Sequence, residues 1–224
     1  MSAFDGELRI GIDESGKGDY FGPLVIAAVL VRPEDELFLR EAGVKDSKKL
    51  SDASIARIAK DISGRCPYSV VRIGPQKYNE LYERIKNLNR LLAWGHSRAM
   101  ENVLDKCPDC RMAISDQFGD EAFLKSALMK KGSAIRLVQM PRAEEDAAVA
   151  AASIMARAEF VRAMKTLSGE AGIELPKGAS SPKVAETAID LTRRYGQEGL
   201  ARFVKLHFKT TKQVLAEAAQ KAGE

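Results

Sequence analysis

Leu8-Arg9-Ile10-Gly11-Ile12-Asp13-Glu14-Ser15-Gly16-Lys17-Gly18-Asp19-Tyr20-Phe21-Gly22-Pro23, running on into the apolar stretch Leu24 to Val31, decides the fold. Leu8, Ile10 and Ile12 alternate with other residues, the period-2 pattern of a strand. Asp13 and Glu14 stand where that strand runs out. Gly16, Gly18 and Gly22, with Lys17 between the first two and Pro23 closing the segment, predict a turn. Residues 24–31 are apolar without interruption, as in a strand buried on both faces. Two core strands therefore meet beside two acids, a lysine and a permissive backbone. A plain hairpin needs none of that chemistry.

Outward from this stretch, strands and helices alternate. Residues 33–43 predict a short helix or loop, and the segment 44–50 is polar and basic. Ser51 or Asp52 caps a helix to about residue 62. Tyr68–Ile73 alternates as a strand and stops at Gly74-Pro75. Residues 75–106 are helical, broken near Asn87-Leu88-Asn89; Leu88, Leu91, Leu92, Met100, Val103 and Leu104 form the apolar stripe of the second helix. A short strand over 111–115 delivers Asp116 at its end. A helix over 120–131 and a strand over 134–140 follow. Residues 144–167 predict a long helix with a face of alanines (Ala147, Ala148, Ala150, Ala151, Ala152, Ala156), small enough for close approach to a neighbour. Its first residues, Glu144, Glu145 and Asp146, suit the positive end of a helix dipole. A loop over 172–182 leads to a helix from Pro182 or Lys183 to about Tyr195, then two shorter helical stretches. Neither a repeat nor a low-complexity linker divides the chain, so the expectation is one α/β domain over 1–224, its C-terminal portion (about 170–224) helical.

The 224 residues suffice for a real hydrophobic core. Lys and Arg exceed Asp and Glu by 35 − 31 = 4, which permits a polyanionic partner without demanding one. No apolar run is long enough to span a bilayer, and the N-terminus shows no secretory signal. Three cysteines, an odd number, suit a reducing compartment, so a cytoplasmic location is expected. Cys107 and Cys110 form a C-x-x-C, but Cys66, His96 and His207 offer no second ligand pair for zinc, and the motif precedes a strand rather than opening a helix. It is read as an incidental turn.

Asp13, Glu14 and Asp116 all fall at strand ends, Asp120 lies one helical turn past Asp116, and Glu144 opens the alanine-rich helix. A single acid in such a position is ordinarily a cap or a solvated charge. Adjacent carboxylates entering a glycine turn are costly unless a cation sits with them. Carboxylate oxygens suit Mg²⁺, and two such ions about 3.5–4 Å apart can activate water and stabilise a leaving oxygen without a histidine, cysteine or serine nucleophile.

Several segments together resemble one family. Gly11 to Pro23 (G-I-D-E-S-G-K-G-D-Y-F-G-P) is similar to the N-terminal signature of type 2 ribonucleases H, and within them to ribonuclease HIII. Asp46-Ser47-Lys48-Lys49-Leu50 resembles the family's D-S-K-x-L, Asp116-Gln117-Phe118 the D-Q-F of the HIII branch, and Ala148 to Ser153 its A-V-A-A-A-S helix. Leu175 to Gly178 and Lys205 to Phe208 also resemble HIII segments. The likeness covers about residues 8–211, with all six motifs in order.

This resemblance implies an RNase H-like fold, a central mixed sheet flanked by helices with a helical C-terminal region. It implies endonucleolytic hydrolysis of the RNA strand of an RNA–DNA hybrid, leaving 5′-phosphate and 3′-hydroxyl ends, with two Mg²⁺ or Mn²⁺ ions. Asp13, Glu14 and Asp116 match the family's metal-binding acids. For the fourth acid Glu144 is the nearest match, with Glu145 one register away and Asp120 competing. Gly16, Lys17 and Gly18 match the turn whose backbone contacts the hybrid, where amides can read the 2′-hydroxyl. Tyr20, Ser47, Lys48 and Lys177 are further substrate-binding candidates, and Lys49 and Lys205 join them as basic residues able to track phosphates. Ser153 could hydrogen-bond near the active centre or only bond back within its own helix, the latter being the expectation, and His207 is expected to be packed or surface-lying rather than catalytic. Ribonucleases HIII usually carry a further N-terminal domain, whereas about seven residues precede the first strand here. The resemblance is thus to the catalytic domain alone. A monomer with no obligate protein partner is the default expectation for a small nuclease. Ribonuclease HII-like cleavage at single ribonucleotides in DNA is the nearest alternative, although that subgroup usually shows G-R-G in the turn. A DNA-junction nuclease of the same superfamily and a non-catalytic nucleic-acid binding module are further ones.

Overall fold

Five strands form one mixed sheet in the computed structural model, which describes residues 4–44, 50–116, 127 and 135–220. They are β1 (Arg9–Ser15), β2 (Leu24–Val31), β3 (Tyr68–Ile73), β4 (Met112–Asp116) and β5 (Arg136–Met140), in the order β3-β2-β1-β4-β5. β1 is antiparallel to β2 and parallel to β4, and β4 is parallel to β5. The helices are α1 (Glu36–Glu41), α2 (Asp52–Arg65), α3 (Pro75–Ile85), α4 (Leu88–Leu104), α5 (Ala147–Ala171), α6 (Pro182–Leu200) and α7 (Lys209–Gln220). This is the mixed sheet with flanking helices that the resemblance implies. The expected helix over 120–131 lies outside the described residues.

The chain forms two compact units. The first comprises Met1–Ser15, Val25–Arg72 and Asn87–Glu159; the second comprises Gly16–Leu24, Ile73–Lys86 and Phe160–Glu224.

β1 organises the first unit because successive side chains of a strand point to opposite faces. Arg9, Gly11 and Asp13 share the face toward the start of α5. Arg9, wholly buried, donates from Nε to both carboxylate oxygens of Asp146 (3.1 and 2.9 Å) and from Nη1 to Glu36 Oε1 (2.7 Å). Asp146 also accepts from the Ala148 amide at 2.8 Å, so one carboxylate caps the helix and anchors it to the sheet. At Gly11 a Cβ would overlap the backbone of Ala148 and Val149, so only glycine lets the helix lie this close. The alanine face of α5 serves that approach: Ala148, Ala151, Ala152 and Ala156 are fully buried. On the other face Ile10 and Ile12 are fully buried and Glu14 reaches α4. β2 is buried along its entire length, as its unbroken apolar sequence requires.

Local signals set the helix ends. Ser51 accepts from the Ser54 amide and Asn87 from the Arg90 amide, both as N-caps, and Lys86 ends α3 in the left-handed region at φ 49°. α5 begins three residues later than its acidic sequence suggests, because Ala143–Glu145 first make a 3₁₀ turn and Asp146 is the cap. α6 continues past Tyr195 through a break at Gly196 (φ 71°, ψ 177°), which absorbs one of the two expected terminal stretches; α7 is the other.

The second unit holds the glycine turn. Gly16 (φ +86°) and Gly22 (φ +83°) occupy the left-handed region, and a Cβ at Gly16 would also meet the Phe160 ring at 2.8 Å. Tyr20 is fully buried, its amide donating to Gly178 O (2.9 Å) and its hydroxyl accepting from Thr211 (3.2 Å). Gly178 in turn donates to Asp19 Oδ1 at 2.6 Å, docking the Pro176-Lys177-Gly178 loop on the turn. His207 is packed between Tyr82 and Phe208, with ring centroids 4.3 and 4.5 Å away.

Candidate active site

Asp13 and Asp116 end up on one face of the sheet. The β1–β4 register pairs Ile12 with Ser115, and one further step sets Asp13 beside Asp116 on the adjacent strand, about 4.8 Å away along the hydrogen-bonding direction. Met112 and Ile114, four and two residues before Asp116, pack with Val149 of α5, so Asp116 shares their face. Asp13 lies on that face too, because the Ser153 hydroxyl of α5 hydrogen-bonds its carboxylate. The expectation that Ser153 only bonds back within its helix is therefore corrected.

Glu14 leaves from the opposite face. Its Oε2 accepts from His96 Nε2 of α4 at 3.0 Å, and its amide donates to Asp13 Oδ1 at 2.8 Å. The Asp13 carboxyl is pushed up to about 6, first by burial and then by the Glu14 charge; Ser153, the Glu14 amide and His96 pull the other way. Among the described residues, no three histidine, cysteine or acidic side chains close into a finished cluster for a metal ion.

Of the fourth-acid candidates, Glu144 and Glu145 are exposed in the 3₁₀ turn that follows β5, and Glu145 pairs with Arg142 at 3.4 Å. Asp146, the third acid of that run, is fully buried on Arg9. Asp120, Ser47, Lys48 and Lys49 lie outside the described residues.

The glycine turn and its neighbours sort by exposure. Lys17, Gly18 and Lys177 are exposed. Tyr20, expected to face substrate, is instead sealed in the core with its hydroxyl on Thr211. Lys205, expected to track phosphates, is also fully buried: Nζ donates to the backbone oxygens of Asp19 (2.7 Å) and Phe21 (3.5 Å). Burial lowers its pKa to about 7, against the opposing pull of Asp19. Both residues brace the turn rather than line a surface. Cys110 is buried with its thiol on Met112 O (3.3 Å), and burial raises its pKa. Its amide donates to Cys107 O, so the motif forms a turn.

The two outer glycines of G-K-G differ in what they tolerate. A Cβ at Gly18 would meet no atom within 4 Å, whereas at Gly16 it meets Pro23 O and the Phe160 ring at positive φ. Gly16→Ala is expected to lower the melting temperature by several degrees, at a cost of about 1–3 kcal/mol. Gly18→Ala is expected to melt like wild type, and any loss it causes should appear in hybrid affinity. Thermal melts beside fluorescence-anisotropy titrations with a hybrid check both.

Sequence reading missed His96 and the Arg9–Asp146–Glu36 group. His96 had a visible signal: it lies four residues from both Leu92 and Met100 on an apolar stripe, where a buried ring must find a partner. For Arg9 there was none, because its partners lie 27 and 137 residues away.

The family model described as Ribonuclease HII matches residues 10–211. Ribonuclease HIII of Protochlamydia amoebophila (strain UWE25) is 46% identical over 212 residues, 95% of this chain and 70% of that protein. Ribonuclease HIII of Chlamydia pneumoniae is 47% identical over 204 residues, 90% of this chain and 68% of the other. Among solved structures, Bst-RNase HIII in complex with Mn²⁺ superposes with a TM-score of 0.90 at 35% identity, over 97% of this chain and 72% of that one. Aquifex aeolicus RNase H3 gives 0.74 at 31% identity, over 92% and 74%. A match of this extent in sequence and in fold shows that the chain belongs to the type 2 ribonuclease H family and is a ribonuclease H, a metal-dependent nuclease.

Proposed function

We propose that the chain cuts the RNA strand of RNA–DNA hybrids internally, leaving 5′-phosphate and 3′-hydroxyl ends, at a site built on Asp13, Glu14 and Asp116. The observation that carries this reading is the side-by-side register of Asp13 and Asp116 on one face, with Glu14 next in the chain. The donors fit a hard divalent ion, being carboxylate oxygens throughout. They fit electrostatically as well, because a cation would relieve the burial and repulsion that hold the Asp13 carboxyl high. Asp13, Glu14 and Asp116 would hold two Mg²⁺ or Mn²⁺ ions, which when bound supply an activated water and charge stabilisation for the leaving 3′-oxygen.

The remaining tasks fall to the chain itself. Asp13, steadied by Ser153 and by the Glu14 amide, keeps a fixed carboxylate at the centre of the site. Glu144, exposed just past β5, is the favoured fourth acid, with Glu145 and Asp120 the alternatives; it would orient water or help product leave. Gly16, Lys17 and Gly18 would follow the backbone around the cut, Gly18 leaving room for close approach and Lys17 meeting phosphate. Ser47, Lys48 and Lys177 would extend that grip, which makes binding salt-dependent. No helix among the described residues is long and apolar enough to cross a membrane. The reading takes the enzyme as a cytoplasmic monomer.

The test is a hybrid labelled on its RNA strand, incubated with Mg²⁺, Mn²⁺ or EDTA. Metal-dependent internal cuts whose products carry 5′-phosphates are expected, and none on all-DNA duplex. A DNA duplex with one ribonucleotide, run in parallel, measures the ribonuclease HII-like alternative. Absence of cutting on the hybrid with either metal would sink the proposal.

A further inference from the structure

His96 is fully buried on α4, four residues from Leu92 and from Met100 along the stripe that packs on the sheet. An apolar side chain would fill that position at lower cost, since a buried imidazole must satisfy its polar atoms. Gly95 lies buried beside it, and a Cβ there would come within 2.7 Å of Ile26 Cδ1, so α4 packs closely on β2 at this point. That closeness brings His96 Nε2 to 3.0 Å from Glu14 Oε2. A carboxylate accepts only, so Nε2 carries the proton and donates it.

We propose that His96 is a positioning residue: its Nε2–H fixes the carboxylate of Glu14 and thereby sets the divalent-metal affinity of the site. The inference rests on the reading of Glu14 as a metal ligand. Glutamate has three side-chain torsions to order, and a ligand ordered in advance binds without that loss. Hydrogen bonds to metal-ligating carboxylates commonly decide affinity in this way. Asp13 has the equivalent support from Ser153, so each member of the acid pair is held by a different helix.

The distinguishing variants are His96→Gln, whose amide nitrogen falls near the Nε2 position, His96→Asn, whose nitrogen falls near Nδ1, and His96→Leu, which has no donor. Mn²⁺ binding to the whole chain without nucleic acid is read by electron paramagnetic resonance, beside hybrid KM and kcat at saturating and limiting Mn²⁺. His96→Leu and His96→Asn are expected to weaken Mn²⁺ binding by about 10–100-fold. Excess Mn²⁺ should recover much of kcat in both, with KM for the hybrid unmoved, and His96→Gln should stay near wild type. In a Glu14→Ala background His96→Leu should have no further effect on Mn²⁺ affinity, whereas a merely structural histidine would cost the same in either background. Wild-type affinity in a folded His96→Leu, or equal damage from Gln and Asn, overturns the inference. If His96→Leu does not fold, the Gln–Asn comparison decides it. Failure of the underlying reading looks different, since the wild-type chain would then neither bind Mn²⁺ nor cut the hybrid.

Discussion

Asp13→Asn is expected to lower hybrid cleavage by about a thousandfold or more while hybrid binding persists. The substitution keeps the shape of the side chain and removes only the charge that an ion would meet. It also carries an unusual expectation for stability. The folded Asp13 carboxyl titrates near 6 against an ordinary 3.8, so folding disfavours its ionised form. That penalty is fully present above the folded value and gone below the unfolded one. Metal-free wild type should therefore melt below the Asn variant at pH 7–8, and the gap should close as the pH falls toward about 4. Added Mn²⁺ should reverse the order at high pH, because it stabilises only the charged site. Melts across pH with EDTA or Mn²⁺, beside cleavage and anisotropy assays, check all three points. An Asn variant that cuts at the wild-type rate removes Asp13 from the site.

Arg9→Met should cause the largest loss of stability. Arg9 is wholly enclosed and joins two carboxylates, Asp146 at 2.9 Å and Glu36 at 2.7 Å. Its removal leaves Asp146 buried without this cation and Glu36 with only the more distant Arg40 at 3.6 Å, which costs about 3–5 kcal/mol, a large share of a typical folding free energy of about 5–15 kcal/mol. Asp146 is also the N-cap of α5, the helix that carries Ser153, so the loss should reach the site as reduced activity well below the melting temperature. The control is Arg57→Ala, which breaks an exposed pair with Asp61 at 3.5 Å and should cost under about 1 kcal/mol. Urea unfolding measures both; comparable losses would show that the buried group is not what holds α5 to β1.

Much of this molecule is legible without coordinates. Period-2 alternation marks β1 and β3, the unbroken apolar run marks β2, and Ser51 and Asn87 announce their helices, because these are local effects of side-chain spacing and backbone capping. The metal-binding candidates at strand ends could be named for the same reason. Local pattern, however, does not distinguish a lysine or tyrosine that faces substrate from one that braces a turn. Lys205 and Tyr20 lie inside the right motifs, yet both are buried, and only the tertiary packing shows it. Likewise, residues 144–146 look alike as helix-start acids; what separates buried Asp146 from exposed Glu144 is an arginine 137 residues earlier in the chain. Sequence determined which elements form and which acids end them, since short-range sterics and hydrogen bonds decide both. Tertiary structure alone decided which charges are neutralised, which are exposed, and that His96 meets Glu14, because burial and pairing depend on neighbours distant in the chain.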